Sequence, residues 1–162
     1  MQKKDRMRLC MNVLFNGVDG FEKYRPNVEI ILCSVDKSSL INFRLAINEA
    51  ICNALRYGSG GIEQAQVRLS IRYSGNFILA KISSENNGFN VREHVEKLSE
   101  ADQQDWWDYL KSKNRGRGLW IMLSGSQKVI YNASGNQVIL ATKINHQEPE
   151  KKLLSKVHVL AK

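Results

Sequence analysis

The spacing of apolar side chains predicts two helices and an intervening strand in the first third of the chain. Apolar residues recur at loosely helical intervals over residues 8–24, and Pro26 discourages continuation, so we predict a short N-terminal helix there. Residues 28–35 are rich in valine and isoleucine and are predicted as a strand. Apolar residues cover most faces of residues 39–56, which predicts a buried central helix whose N-cap lies within residues 36–39.

Two β-hairpins are predicted in the second half of the chain. Residues 66–73 alternate apolar and polar side chains, and a second run of this kind, residues 77–82, follows a Ser-Gly-Asn turn. Two further strands are predicted at residues 128–131 and 137–144. The segments between the hairpins are predicted as a polar loop, a helix and a short helix, at residues 83–90, 91–113 and 119–123.

Length and composition favour a single folding unit. A chain of 162 residues, 43% of them hydrophobic, can build one core, so we expect one domain. We expect an N-terminal helix within residues 1–27, an α/β body over residues 28–144 and a basic tail over residues 145–162. Apolar residues of the tail recur at helical spacing, which leaves an appended helix and a frayed end as alternatives.

The net charge, the hydropathy and the cysteines indicate which kind of binding partner and which cellular compartment to expect. The net charge of +8 favours an anionic partner, which could be a nucleotide, a nucleic acid or an acidic protein surface. No apolar run approaches the roughly 20 residues of a membrane helix, and no signal segment is recognisable, so we expect a cytoplasmic protein without membrane contact. Cys10, Cys33 and Cys52 lie in apolar stretches and are expected to be buried thiols.

Glu49 and Asn53 are polar residues one turn apart on the predicted central helix. Both side chains can therefore face one cavity, where the Asn53 oxygen is a suitable ligand for Mg²⁺ and Glu49 can orient or deprotonate a nucleophile. The alternative is a structural pair that hydrogen-bonds to neighbouring backbone. This pattern alone favours the structural interpretation.

A second polar motif, Arg115-Gly116-Arg117-Gly118-Leu119, precedes a predicted helix. Glycines let backbone N–H groups approach phosphate oxygens, the helix N-terminus favours negative charge, and Arg115 and Arg117 add cationic donors. The alternative is an ordinary basic loop, because two glycines before a helix are common.

Taken in order, these motifs resemble the nucleotide-binding motifs of the GHKL (histidine-kinase-like) ATPase superfamily, and most closely its anti-sigma-factor serine-kinase branch. The family's E-x-x-x-N-A helix, with a catalytic Glu and a Mg²⁺-binding Asn, matches Glu49 and Asn53. Its G-x-G-L phosphate loop matches residues 116–119. The resemblance spans roughly residues 28–144 and implies the Bergerat-type ATP-binding fold. That fold is an α/β (α+β) two-layer sandwich in which helices cover one face of a mixed, mostly antiparallel sheet.

The adenine loop of that family reads D-x-G-x-G-F, and this chain departs from it. Only Gly88 and Phe89 match, because Ser84 stands at the position of the Asp that accepts a hydrogen bond from the adenine amino group. A serine can still accept that bond but loses its charge assistance. Glu85 could substitute if the loop is shifted by one residue.

The resemblance implies a serine/threonine-protein kinase that uses ATP and Mg²⁺ and acts on an anti-anti-sigma or sigma-factor-like protein in a bacterial partner switch. It also implies a homodimer. The altered adenine loop favours a second interpretation, a non-catalytic interaction module with weakened or lost nucleotide binding. A nucleic-acid binder is not expected, because the basic residues are spread along the chain without a recognised binding motif.

Overall fold

The computed structural model describes residues 7–36, 40–100, 117–144 and 153–160, and its strands form one open sheet. The strands are β1 Arg8–Asn16, β2 Gln66–Ser74, β3 Phe77–Ser84, β4 Lys128–Tyr131, β5 Gln137–Lys143 and β6 Val157–Val159. Their order in the sheet is β1-β2-β3-β5-β4-β6. Neighbouring strands are antiparallel except β4 and β6, which are parallel.

Helices cover one face of this sheet. They are α1 Gly17–Val35, α2 Ile41–Tyr57, α3 Gly61–Gln64, α4 Val91–Glu100 and α5 Arg117–Gly125. Leu69 and Ile71 of β2 and Ile78 of β3 are fully buried on the inner face of the sheet. Ile47 of α2 is also fully buried. Removing this apolar layer from water is the main favourable contribution to folding. The predicted fold class, a two-layer sandwich with a mixed, mostly antiparallel sheet, is confirmed.

The N-terminal region differs from the prediction in both of its elements. The first half of the helix predicted over residues 8–24 is wrong, because β1 occupies Arg8–Asn16 and pairs with β2. Met11 and Phe15 of β1 are buried and Asn12 is exposed, so the strand is stabilised by pairing with a segment distant in the sequence. The strand predicted at residues 28–35 is also wrong, because α1 runs unbroken over Gly17–Val35.

Pro26 lies inside α1 and does not end it as predicted. A proline within a helix removes one backbone hydrogen bond and costs about 3 kcal/mol. Pro26 is exposed, whereas Phe21, Val28 and Leu32 are buried on both sides of it in sequence. Burying each such side chain contributes roughly 1.5–3 kcal/mol, so the packing of α1 outweighs the cost of the proline.

The central helix and both hairpins are confirmed with small shifts of their ends. α2 begins at Ile41 after an N-cap residue, Leu40, that makes no side-chain capping bond. Asp36, predicted within that N-cap, instead ends α1 through its N–H bond to Leu32 O at 3.0 Å, and residues 37–39 lie outside the described residues. Of the helix predicted over residues 91–113, the structure describes α4, and residues 101–116 lie outside its description.

In its described residues, 153–160, the tail forms neither the appended α-helix nor the frayed end predicted for it. Leu153–Lys156 is a short 3-10 helix, and β6 then adds to the sheet beside β4. Val157 and Val159 pack partly buried against the core. The ammonium of Lys156 donates hydrogen bonds to Leu123 O at 3.0 Å and Ser126 O at 3.2 Å. The tail is therefore bound to the C-terminal end of α5.

The prediction that the cysteines are buried is wrong, because Cys10, Cys33 and Cys52 are all exposed. Cys10 lies at the irregularity in the β1 and β2 register, between Leu9 and Met11. Cys33 and Cys52 lie on the solvent sides of α1 and α2. Among the described residues, no helix has the length and apolar character needed to cross a membrane.

Candidate functional site

A cavity of about 520 Å³ opens between α2, α5 and the ends of the hairpins. This volume falls in the range of small-molecule sites. The predicted site residues on its wall are Glu49, Asn53, Ser84, Gly88, Phe89, Arg117, Gly118 and Leu119. Glu85 does not line the cavity, and Arg115 and Gly116 lie outside the described residues.

Glu49 and Asn53 are partly buried and lie one turn apart on the side of α2 that faces the cavity. Within the described part of the chain, neither side chain makes a hydrogen bond or an ion pair with another protein group. The structural alternative, in which both groups bond to neighbouring backbone, needs such partners. The arrangement therefore favours a site that receives its partners from a ligand.

Gly118 of α5 lies directly against these two side chains. A Cβ atom at this position would stand 2.5 Å from Glu49 Oε1 and 2.7 Å from Asn53 Nδ2. Since real Cβ contacts are not that short, a side chain here would push the ends of the Glu49 and Asn53 side chains out of their positions at the cavity. The absence of a side chain also leaves the first turn of α5 open to an anion, because its N–H groups carry the positive end of the helix dipole.

A second glycine, Gly125, seats the other end of α5 on α2. A Cβ atom at this position would collide with the backbone carbonyl of Asn42 and stand 2.8 Å from the Cβ of Ala46. Gly118 and Gly125 are seven residues apart and so share one face of α5. The two helices approach closely along this face, which places the first turn of α5 at the cavity. Sequence reasoning overlooked Gly125, although its spacing from Gly118 is a usable signal.

The loop of residues 84–89 is held in place by two asparagines, Asn86 and Asn136, that the sequence-based prediction did not identify. Asn86 Nδ2 donates a 2.8 Å hydrogen bond to Ser84 Oγ, while Asn86 Oδ1 accepts one of 2.7 Å from the Gly88 N–H. Asn136 Nδ2 donates to Asn86 O at 3.2 Å, and the Ser84 N–H donates to Asn136 O at 3.1 Å. Ser84 is thereby held in the cavity wall with 8% of its surface exposed.

Gly88 and Gly135 lock this loop to the turn between β4 and β5. Both have positive φ, +70° and +73°, and a Cβ atom on Gly88 would collide with Ser134 O, as one on Gly135 would with Phe89 O. The Phe89 N–H also donates to Ser134 O at 3.1 Å. The two loops are therefore one interlocked unit, and Gly88 has a backbone reason to be glycine.

Glu85, considered above as a substitute for Ser84 in the cavity, is exposed and does not line the cavity. Its backbone carbonyl accepts hydrogen bonds from Ser59 N–H at 3.2 Å and Ser59 Oγ at 2.7 Å. These contacts attach the loop to the end of α2. The structure thus puts Ser84, and not Glu85, at the cavity wall, as the unshifted alignment of the loop requires.

The cavity has an apolar end and a polar end. Phe89 contacts Tyr131 edge-on, with ring centroids 5.5 Å apart, and Ile82, Val138 and Met122 complete the apolar wall. Burial raises the pKa of the Tyr131 hydroxyl above its ordinary value, so this ring is neutral at physiological pH. An apolar, aromatic end suits a flat base, and the end formed by α2 and α5 suits charged groups.

The polar end also fits Mg²⁺, which takes oxygen ligands from one or two protein side chains together with phosphates. Asn53 presents Nδ2 to Gly118, and rotation of the amide about its Cβ–Cγ bond would exchange it for the oxygen. Among the described residues, no cluster of three His, Cys, Asp or Glu forms a metal cage of its own. The donor set therefore suits a cation bound jointly with a phosphate ligand.

A family model described as "Histidine kinase-like ATPase domain" matches residues 29–142. The match covers more than half of the chain and includes every described element of the cavity wall. No curated protein sequence matches the chain.

Proposed function

Since the chain belongs to the histidine kinase-like ATPase domain family, we propose that this ATP-binding regulatory protein is a serine/threonine-protein kinase that acts on a protein partner. The observation that supports the proposal best is the polar end of the cavity. There Glu49 and Asn53, both without protein partners in the described residues, face the first turn of α5 at Gly118.

The proposed roles follow from the chemistry of each group. The Asn53 oxygen would hold Mg²⁺, which would supply positive charge to neutralise the phosphates. Glu49 accepts the proton of the partner's hydroxyl group, and the α5 N-terminus with Arg117 holds the phosphate oxygens. Arg115 and Gly116 extend this phosphate loop in the sequence, outside the described residues.

The apolar end is proposed to hold adenine. Ser84 Oγ accepts a hydrogen bond from Asn86, and as a hydroxyl it keeps one donor and one further lone pair for a ligand. Phe89 and Tyr131 supply aromatic walls on which a purine can pack. Glu85 has no role in this proposal, because it does not line the cavity.

The partner is proposed to be an anti-anti-sigma or sigma-factor-like protein, as the resemblance of the motifs implies. The proposal includes a homodimer and a partner switch, in which nucleotide state controls which protein is bound. These finer assignments are supported by the motif resemblance, which spans roughly residues 28–144.

Calorimetric titration of the whole chain with Mg-ATP tests the nucleotide site. We expect micromolar binding that Asn53→Ala abolishes and that Asn48→Ala leaves unchanged, because Asn48 is on the same helix but does not line the cavity. Glu49→Gln should retain binding and lose phosphoryl transfer to a protein substrate, since only the proton acceptor is removed. Equal effects of Asn53→Ala and Asn48→Ala would contradict the assigned site.

A second candidate is a protein-interaction module of the same fold without turnover. The observation that favours it is the neutral Ser84 at the position where the family has a carboxylate, since a neutral acceptor binds the adenine amine more weakly. No heat of binding up to millimolar Mg-ATP, in a chain that unfolds cooperatively, would favour this candidate over the kinase.

A further inference from the structure

In the described strands, every charged residue on the sheet face opposite the helices is positive. The five strands β1 to β5 contain no aspartate or glutamate. Their charged residues are Arg8, Arg68, Arg72, Lys81, Lys128 and Lys143. Side chains alternate between the two faces of a β-strand. Val67, Leu69 and Ile82 are buried on the inner face, so the exposed Arg68, Arg72 and Lys81 lie on the outer face.

Three of these cations surround one shallow trough of about 460 Å³ on the outer face. Arg68 and Arg72 are four residues apart on β2, a distance of about 13 Å along the strand. Lys81 of β3 is paired with Ser70, midway between the two arginines. Within the described residues, no acidic side chain forms an ion pair with any of the three.

Apolar side chains alternate with the cations along the trough. Of the residues that line the trough, Leu79 pairs with Arg72 across β2 and β3, and Ile139 pairs with Lys81 across β3 and β5. Leu14 of β1 does not line the trough but pairs with Arg68. Leu14 is 43% exposed, and Leu79 and Ile139 are partly exposed. A ligand that covers this surface therefore meets positive charge and apolar area in alternation.

From this surface we propose that the trough docks an acidic, amphipathic segment of a partner protein, at a site separate from the nucleotide cavity. Carboxylates two turns apart on a helix are about 11 Å apart, which is within the reach of two long arginine side chains about 13 Å apart at Arg68 and Arg72. A carboxylate one turn along would meet Lys81, and apolar residues beside the carboxylates would cover Leu79 and Ile139.

Two other occupants fit the trough less well. Single-stranded nucleic acid is normally bound by aromatic side chains on which the bases stack, and none of the residues lining the trough is aromatic. A second copy of this chain on the same face would bring Arg68, Arg72 and Lys81 against their own counterparts, and like charges across an interface are repulsive.

Fluorescence anisotropy of the whole chain with a labelled synthetic helix tests the proposal. The helix carries glutamates at one-turn intervals over two turns, with leucines beside them, and a matched peptide has glutamine in place of glutamate. We expect the acidic peptide to bind at low salt and its affinity to fall at high salt. Arg68→Gln combined with Arg72→Gln should lower the affinity for this peptide roughly tenfold.

Lys23→Gln combined with Arg92→Gln is the control, because both residues are exposed on the helical layer and the pair removes the same net charge. Mg-ATP titration of both double variants reports on the nucleotide site, and their thermal unfolding reports on the fold. A failure of the docking proposal can therefore be told apart from a failure of the kinase proposal. Equal weakening by the two pairs, or no peptide binding at low salt, would overturn the proposal.

The competing occupants have outcomes of their own. Binding of an oligothymidine or of anionic phospholipid vesicles that only the Arg68 and Arg72 pair reduces, without peptide binding, would replace the acidic segment by that ligand. Self-association in sedimentation velocity that this pair abolishes would assign the trough to a second copy. Either result contradicts the proposed partner.

Discussion

The backbone of Gly118 lies so close to the carboxylate of Glu49 that a Cβ atom on Gly118 would fall 2.5 Å from Glu49 Oε1. This contact joins two motifs that are far apart in the sequence, one on α2 and one at the start of α5. A side chain at Gly118 would displace the ends of the Glu49 and Asn53 side chains, so this glycine keeps both groups in place at the cavity. The first prediction tests this contact.

Gly118→Ala is expected to displace Glu49 or the first turn of α5 and to weaken Mg-ATP binding by at least about tenfold. The free energy of unfolding should change by less than about 1 kcal/mol, because the groups in the way are the ends of flexible side chains that can rotate aside. Calorimetry and urea unfolding measure the two effects. Ser124→Ala, an exposed position on the same helix, is the control and should leave both unchanged. Normal nucleotide binding by Gly118→Ala would show that this glycine is not needed at the site.

Ser84→Asp is expected to strengthen ATP binding about three- to tenfold, because a carboxylate can accept hydrogen bonds from both the Asn86 amide and the adenine amino group. Ser83→Asp, on the opposite face of β3, controls for the added charge. Titration with ATP and with ITP, which lacks the amino group, separates base recognition from general effects. Unchanged ATP affinity in Ser84→Asp would mean that Ser84 does not contact the base.

Gly88→Ala is expected to destabilise the protein more than Gly61→Ala, although the two glycines have nearly the same positive φ, +70° and +73°. A Cβ atom on Gly61 meets nothing within 4 Å, whereas one on Gly88 collides with Ser134 O. Both variants bear the strain of the left-handed backbone, of order 1 kcal/mol, and only Gly88→Ala must also separate the two loops. Urea unfolding should show a difference of about 2 kcal/mol or more. Equal losses would mean that the loops are not interlocked in solution.

Lys156→Gln is expected to lower the free energy of unfolding by about 1–2 kcal/mol, because the ammonium bonds to two carbonyls, Leu123 O and Ser126 O, at the negative end of α5. Lys128→Gln, which removes an exposed lysine from a strand, is the control. Thermal unfolding measures both variants. If Lys156→Gln unfolds at the temperature of the unmodified chain, the tail does not stabilise α5.

Much of the site could be predicted from local sequence because its motifs are local. A one-turn spacing on a helix determines that Glu49 and Asn53 share a face, whatever surrounds them. The order of motifs also indicated which loop would meet that face. What no local pattern contained was the hydrogen bond from Asn136 to Asn86, because it joins residues fifty positions apart.

The sequence by itself determined α2 and the two hairpins, since each depends on a periodicity that is visible within one segment, and the resemblance of its motifs to a known superfamily implied the two-layer fold class. Tertiary structure alone decided that residues 8–16 are a strand, that α1 continues through Pro26 and that the tail adds β6. A strand gains its hydrogen bonds from another segment, and a helix with a proline gains its stability from the core it covers. Both contributions come from residues distant in the chain, so local spacing could not reveal them.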